Sequence, residues 1–355
     1  MDKRGSMVPV ERPIAAPVED GGAIPERKAG GGRLPTVRLD FFLDPAARLT
    51  EQERALMTAM LADLTTMIAD EFTSMLADAE PANYDSEQLL DRLWTAGLLD
   101  IPQLIGLLLR RAEEERVVAG IRSSRPAGKS RFLQPLVNDE DPDVSAAAMA
   151  LILARGRRRD RFDGPRLTFD DVSAGAAVSI VNTIAAALRA DLASRTGAAE
   201  ADERLGNAVN ALLSGHDEGN RLEARLFDLV HALARANRLD DRLIRSALEE
   251  AEVSLVAEAL ARRARIGFVS AWDFFTGGGG RLAILLRMAG VSRDLAGEII
   301  ASAAQVVGTD PETEIHAFDQ LEDEEIDRKR NWLRLDPDYR AAIGALGEES
   351  GERTV

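Results

Sequence analysis

From Thr50 to Val307 the chain reads as one short helical segment after another, and this constrains the fold more than any other feature. Each segment carries an apolar face too small to bury by itself, so each has to stack on a neighbour. The connections use Gly, Asp, Asn or Ser, the residues that open and close helices. Strand material is thin. Ala and Leu dominate an apolar fraction of 45%, only 5% of residues are aromatic, and Arg and Glu supply much of the rest. The expected fold class is all-α: a three-helix N-terminal module followed by an irregular HEAT-like α-solenoid or helical array.

Within that class the sequence divides readily. Residues 1–38 read as a disordered arm, with Pro9, Pro13, Pro17, Pro25 and Pro35 among glycines and few large apolar side chains. The three-helix module occupies 39–122. Its first helix starts at Thr50, which forms a capping box with Glu53, and runs to about Ala79. Met57, Leu61, Leu64, Ile68, Phe72 and Met75 make one continuous stripe along it. Ser86 and Asp100 are candidate caps for the next two helices. A Ser/Arg/Pro/Gly stretch at 123–130 reads as a linker. The helical array then spans 131–310, and 311–355 reads as an acidic segment, a final helix and a tail.

Residues 132–156 pattern as a short helix, an acidic Asp-Pro-Asp turn and a small-residue helix, the layout of one HEAT-type repeat. Thr168 with Asp171 is expected to cap a long helix ending near Ser194. Further helices are expected at about 200–213, 218–236, 240–250, 253–264, 267–275, 281–289 and 292–307. The stretch from Leu243 to Val307, with Ala259-Leu260-Ala261, Gly278-Gly279 and Leu282 to Ser292, resembles the bacterial family known as domain of unknown function 2336. The opening at 49–64 is similar to the start of many such proteins, so the resemblance covers about 45–310. It implies a helical, HEAT-like fold and carries no activity, ligand or catalytic residue.

Charge and composition narrow the function. With 44 Lys and Arg against 60 Asp and Glu, the formal net charge is −16, which opposes DNA, RNA and anionic membranes. No cysteine is present, which removes disulfides, thiolate metal sites and thiol catalysis and fits a cytoplasmic location. The N-terminus has no apolar signal-peptide core, and no run of about 18 apolar residues occurs, so no membrane partner is expected. There are three histidines, His216, His231 and His316. Asp228 and His231 share a helix face without the further ligands a metal needs. No G-x-S-x-G or P-loop pattern occurs, and Gly277 to Gly280 read as a connector that opens the next helix. No catalytic, cofactor or metal site is therefore assigned.

Two groups of candidate contact residues remain. Ile68, Phe72 and Met75 form the end of the first-helix stripe expected to lie uncovered, as an interface. Arg157, Arg158 and Arg159 make a basic knot after a helix C-terminus, suited to an anion or an acidic partner. The sequence points to a non-enzymatic helical-repeat protein that binds a protein partner or its own copies, as scaffold, adaptor or regulator. The alternative is a small-molecule sensor with Phe268, Trp272, Phe274 and Phe275 walling a pocket. A hydrolase or metalloenzyme is the third possibility.

Overall fold

The computed structural model describes residues 49–76, 84, 86–123 and 130–336, with 339, 340, 342, 343 and 346. The proposed N-terminal arm, most of the linker and the final tail lie outside them. Among the described residues there are fifteen α-helices, three 3-10 turns and no β-strand.

Helix α1 (Glu51–Met75) opens on the expected box, in which the Thr50 hydroxyl accepts from the Glu53 amide while the Glu53 carboxylate accepts from Thr50. Helices α2 (Ser86–Thr95) and α3 (Pro102–Ser123) follow. The three do not close a core of their own. Met60, Leu64, Ile68 and Phe72 of α1 pack with Leu89 and Leu93 of α2, Leu104 and Leu108 of α3, and the apolar faces of α6 (Ala174–Thr196) and α7 (Ala198–Gly215). Ile68 and Phe72 are thus 2% and 0% exposed and belong to the core; of the expected interface triad only Met75 is exposed. The long stripe of α1 finds cover in α6 and α7, whose partnership with it lies more than a hundred residues along the chain and leaves no local mark.

The second core gathers α4 (Leu133–Val137), α5 (Pro142–Arg157), α8 (Leu222–Arg235), α9 (Asp241–Glu249), α10 (Val253–Ala264), α11 (Phe268–Phe275), α12 (Arg281–Ala289), α13 (Arg293–Val307), α14 (Pro311–Gln320) and α15 (Asp323–Leu333). Helix α10 lies at its centre, buried at every position from Val253 to Ala261. Its Ala257, Ala259 and Ala261 let α8, α11 and α12 approach from several sides. Helices α5 and α8 run antiparallel. Asp143 near the start of α5 pairs with Arg235 at the end of α8, while Arg158 at the end of α5 bonds the Asn220 carbonyl just before α8. The acidic stretch after Asp310 is not a solvated run: α14 and α15 place Phe318, Ile326 and Leu333 in this core. The Thr168–Asp171 box also differs from expectation. It closes on a 3-10 turn, and the long helix begins separately after Ser173.

Helix α3 belongs to both cores. Leu104, Leu107, Leu108 and Ala112 lie in the first, and Val117 and Ile121 in the second. Its last turns meet α13 so closely that a Cβ on Gly120 would stand 2.1 Å from Val306 Cγ2, so only glycine fits there. Helix α6 is the one described helix long and apolar enough to cross a membrane, and 44% of its apolar window is buried within the protein.

Candidate functional site

Between the two cores α3 carries Arg110-Arg111-Ala112-Glu113-Glu114-Glu115-Arg116. On a solvent-facing helix such a run would pair along its own surface. Here nearly every charge reaches a different element. Arg110 and Arg111 both meet Glu223 of α8. Arg111 also pairs with Glu114 at 3.1 Å and lies 3.9 Å from Asp171. Glu113 accepts from the Trp272 indole of α11 at 2.8 Å, and Glu114 accepts from Ser254 of α10. Glu115 holds Arg159 in the loop after α5. Arg116 joins Glu53 of α1 to the Val306 carbonyl of α13. Charges of this kind are costly to bury unless paired, and the pairings fix the angle at which seven segments meet α3.

Asp171 is the tightest knot in this seam. Its carboxylate accepts from the Thr168 amide and hydroxyl, from the Leu222 amide opening α8, and from Arg158 at 2.9 Å. Arg158 in turn donates to the Ala154 and Asn220 carbonyls. Burial opposes ionisation of Asp171, yet Arg111 and Arg158 outweigh it and hold the carboxyl below its ordinary range. Glu223 is held low in the same way by Arg111 and Arg110. Burial likewise opposes the Arg111 charge, and Glu223, Glu114 and Asp171 raise it above its usual value. The Arg111 Nη2 and Glu223 Oε2 atoms lie 3.0 Å apart without hydrogen-bond alignment, so that attraction is coulombic. Glu258 on α10 is different. Burial pushes it up to about 7, Arg262 lowers it only in part, and Glu223 adds to the rise.

The basic knot therefore divides. Arg158 is buried in the seam, Arg159 is tied to Glu115 while still exposed, and Arg157 faces solvent on the last turn of α5. Asp160 does not pair with the arginines but accepts from the Phe162 and Gly164 amides to close the loop. The three do not converge as an anion site. The glycine connector before α12 holds an anion of the protein's own: the buried Glu314 carboxylate accepts from the Gly280 and Ala283 amides at 2.8 and 3.3 Å. Gly279 and Gly280 take positive φ there, which suits glycine.

The other sequence candidates separate similarly. Trp272, Phe274 and Phe275 are buried core side chains, and Phe268 packs partly buried against the same core. A cleft of about 530 Å³ opens elsewhere, between α4 and α9, with Phe132, Leu136 and Leu243 on its walls. Of its charged groups, Arg238 pairs with Asp139, and Glu250 accepts from the Arg131 amide. His231 stacks on Phe227, and Asp228 pairs with Arg225. Among the described residues no group of three His, Asp or Glu is placed to hold a metal.

What the surface does present is the outer side of α5. The inner side, Val144, Ala148, Leu151 and Ala154, is buried. The outer side is also apolar, with Met149 43% and Leu153 58% exposed, Ile152 beside them and Phe162 exposed in the loop that follows. A helix apolar on both sides is usually covered on both. Sequence reading placed the uncovered stripe on α1 because that helix is long. The usable signal was in ALILA, where apolar residues fill successive positions and leave no polar face.

Stacked helices around a buried ionic seam, with one helix apolar toward solvent, define an all-α fold. Residues 126–329, more than half of the chain, match the family described as an uncharacterised protein conserved in bacteria, DUF2336, and the chain belongs to that family. The match takes in α4 to α14 and most of α15, while α1 to α3 precede it. Comparison with curated proteins and with solved structures finds no match.

Proposed function

We propose that this is a non-enzymatic, HEAT-like helical-repeat protein of the cytoplasm that binds another protein chain, as a scaffold, adaptor or regulator. The observation that carries the reading is the outer face of α5, where Met149, Ile152 and Leu153 face solvent on a helix whose opposite side is core. Contiguous exposed apolar surface of this kind marks interaction sites. The helix pairs α4 with α5, α9 with α10 and α11 with α12 support a repeat-type stack that displays such a face on rigid elements. The buried seam favours a binding role as well, because its charges are spent on one another and hold α3, α8 and α10 in a fixed arrangement.

The test compares wild type with Leu153→Glu, tagged and recovered from the native cell, with mass spectrometry of what co-purifies. The side chain is more than half exposed, so circular dichroism and the thermal midpoint should not change. A stoichiometric protein recovered with wild type and lost with the variant is the expected result. Turnover by the purified chain, or a small molecule in place of a protein, would overturn the reading.

A further inference from the structure

We propose that a second copy of this chain docks on the outer face of α5, the two helices lying antiparallel about a twofold axis close to Met149 and Ala150. This rests on the reading of α5 as an interaction surface and names its occupant.

The first argument is charge. Glu140 and Asp143 are exposed at the N-terminal end of the helix, and Arg157 and Arg161 at and beyond its C-terminal end. A face that is acidic at one end and basic at the other complements itself when reversed. Parallel pairing would set like charges opposite each other. Asp143 also meets Arg235 of its own chain at 3.2 Å, but both are mostly exposed and such a pair contributes little.

The second argument is shape. Pro142, Ala146, Met149, Leu153 and Arg157 follow one another at spacings of four, three, four and four, so they form a single seam, with Ala150 beside it. Reversal about the helix midpoint sets Leu153 opposite Ala146 of the second copy, and Met149 opposite Ala150. Large residues then meet small ones. It also sets Arg157 opposite Pro142, one residue from Asp143 of the second copy. Gly156 adds room, since nothing lies within 4 Å of where its Cβ would stand. The third argument is size. The 16 residues of α5 span about 24 Å. One helix pair of that length falls short of the roughly 800 Å² per partner of a stable complex. The dimer is therefore weak and concentration-dependent, with Phe162 adding area from the adjoining loop.

Sedimentation velocity on the full chain over a wide concentration range tests this. A monomer–dimer equilibrium is expected. Leu153→Glu should weaken it at least tenfold without moving the thermal midpoint of dilute protein. Asp143→Arg and Arg157→Asp should each weaken it, and the two combined should restore it, because the register pairs them again. The chain has no native cysteine, so Ala150→Cys should cross-link to itself on oxidation while Ser179→Cys, on exposed α6 surface, should not. That cross-link decides the matter should Leu153→Glu prove unstable. A wild type that stays monomeric, a dimer indifferent to Leu153→Glu, or a charge swap that does not recover association overturns the inference. If the wild type is monomeric while Leu153→Glu still abolishes capture of a different protein, the second copy is wrong and the interaction reading stands. If Leu153→Glu changes neither assay, both fall.

Discussion

Asp171→Asn probes the ionic seam with the least change in shape. The wild-type carboxylate neutralises Arg158, whose side chain is 7% exposed, and among the described residues it is the one acid that pairs with that guanidinium. The amide keeps the volume but removes the charge, and it cannot accept at both oxygens from Thr168, Leu222 and Arg158 together. Leaving a buried charge without its partner costs about 3–5 kcal/mol. Arg158 keeps its bonds to two carbonyls, and Arg111 keeps Glu114 and Glu223, so about 3 kcal/mol is the better expectation. For a body of this size that lowers the thermal midpoint by about 6 °C. The pH dependence separates charge from packing. Because the folded-state pKa of Asp171 is depressed, its contribution is present above the unfolded value of about 3.9 and is lost as pH falls through the folded value. Calorimetry of both proteins from pH 7 to pH 3 should therefore show the gap full at neutrality and closing in acid. A gap below about 1 kcal/mol, or one that does not change with pH, would refute the reasoning. The pair variant Arg158→Met with Asp171→Leu should recover much of the loss, since apolar replacement of a buried ion pair is often neutral.

Glu258→Gln should behave in the opposite sense. The folded pKa of Glu258 is raised to about 7, so its stabilising contribution is complete below the unfolded value and lost as pH rises through neutrality; the variant should be more stable at pH 8, by at most about 3 kcal/mol, with the advantage shrinking toward pH 5 in urea titrations. Phe72→Ala should cost about 3–5 kcal/mol in the same assay, because the ring is fully buried between α1 and its neighbours; a negligible loss would mean that this end of α1 is not core. Glu314→Gln should lower the thermal midpoint by a few degrees, since the neutral amide can no longer offer two acceptor oxygens to the α12 N-terminus; amide exchange at Gly280 and Ala283 should quicken selectively.

Much of the helical layout was legible because it is written locally. The Thr50–Glu53 box caps α1 as expected, Asp141, Asp240 and Ser292 cap α5, α9 and α13, and Gly290 and Gly308 end helices in the left-handed conformation. What was not legible depends on partners far along the chain. The α3 charge run looks like any exposed helix surface until Glu223, Ser254 and Trp272 arrive from 100 to 160 residues away. The acidic stretch after Asp310 hid its two helices for a related reason. Phe318, Ile326 and Leu333 are the few apolar residues that matter there, and they are outnumbered by carboxylates. The α5 surface was overlooked because the same alanines that allow close packing inside also allow it outside.

The sharing of α3 between two cores has a consequence for synthesis. The Val306 carbonyl that Arg116 bonds is 190 residues downstream. A ribosome adding about 5–20 residues per second takes roughly 10–40 seconds to cover that distance. Throughout that interval α1 to α3 exist without α6 and α7 at first, and then without α13, so Leu64, Phe72, Val117 and Ile121 have no completed core to enter. The nascent chain therefore carries its first helices unsheltered until those later elements emerge.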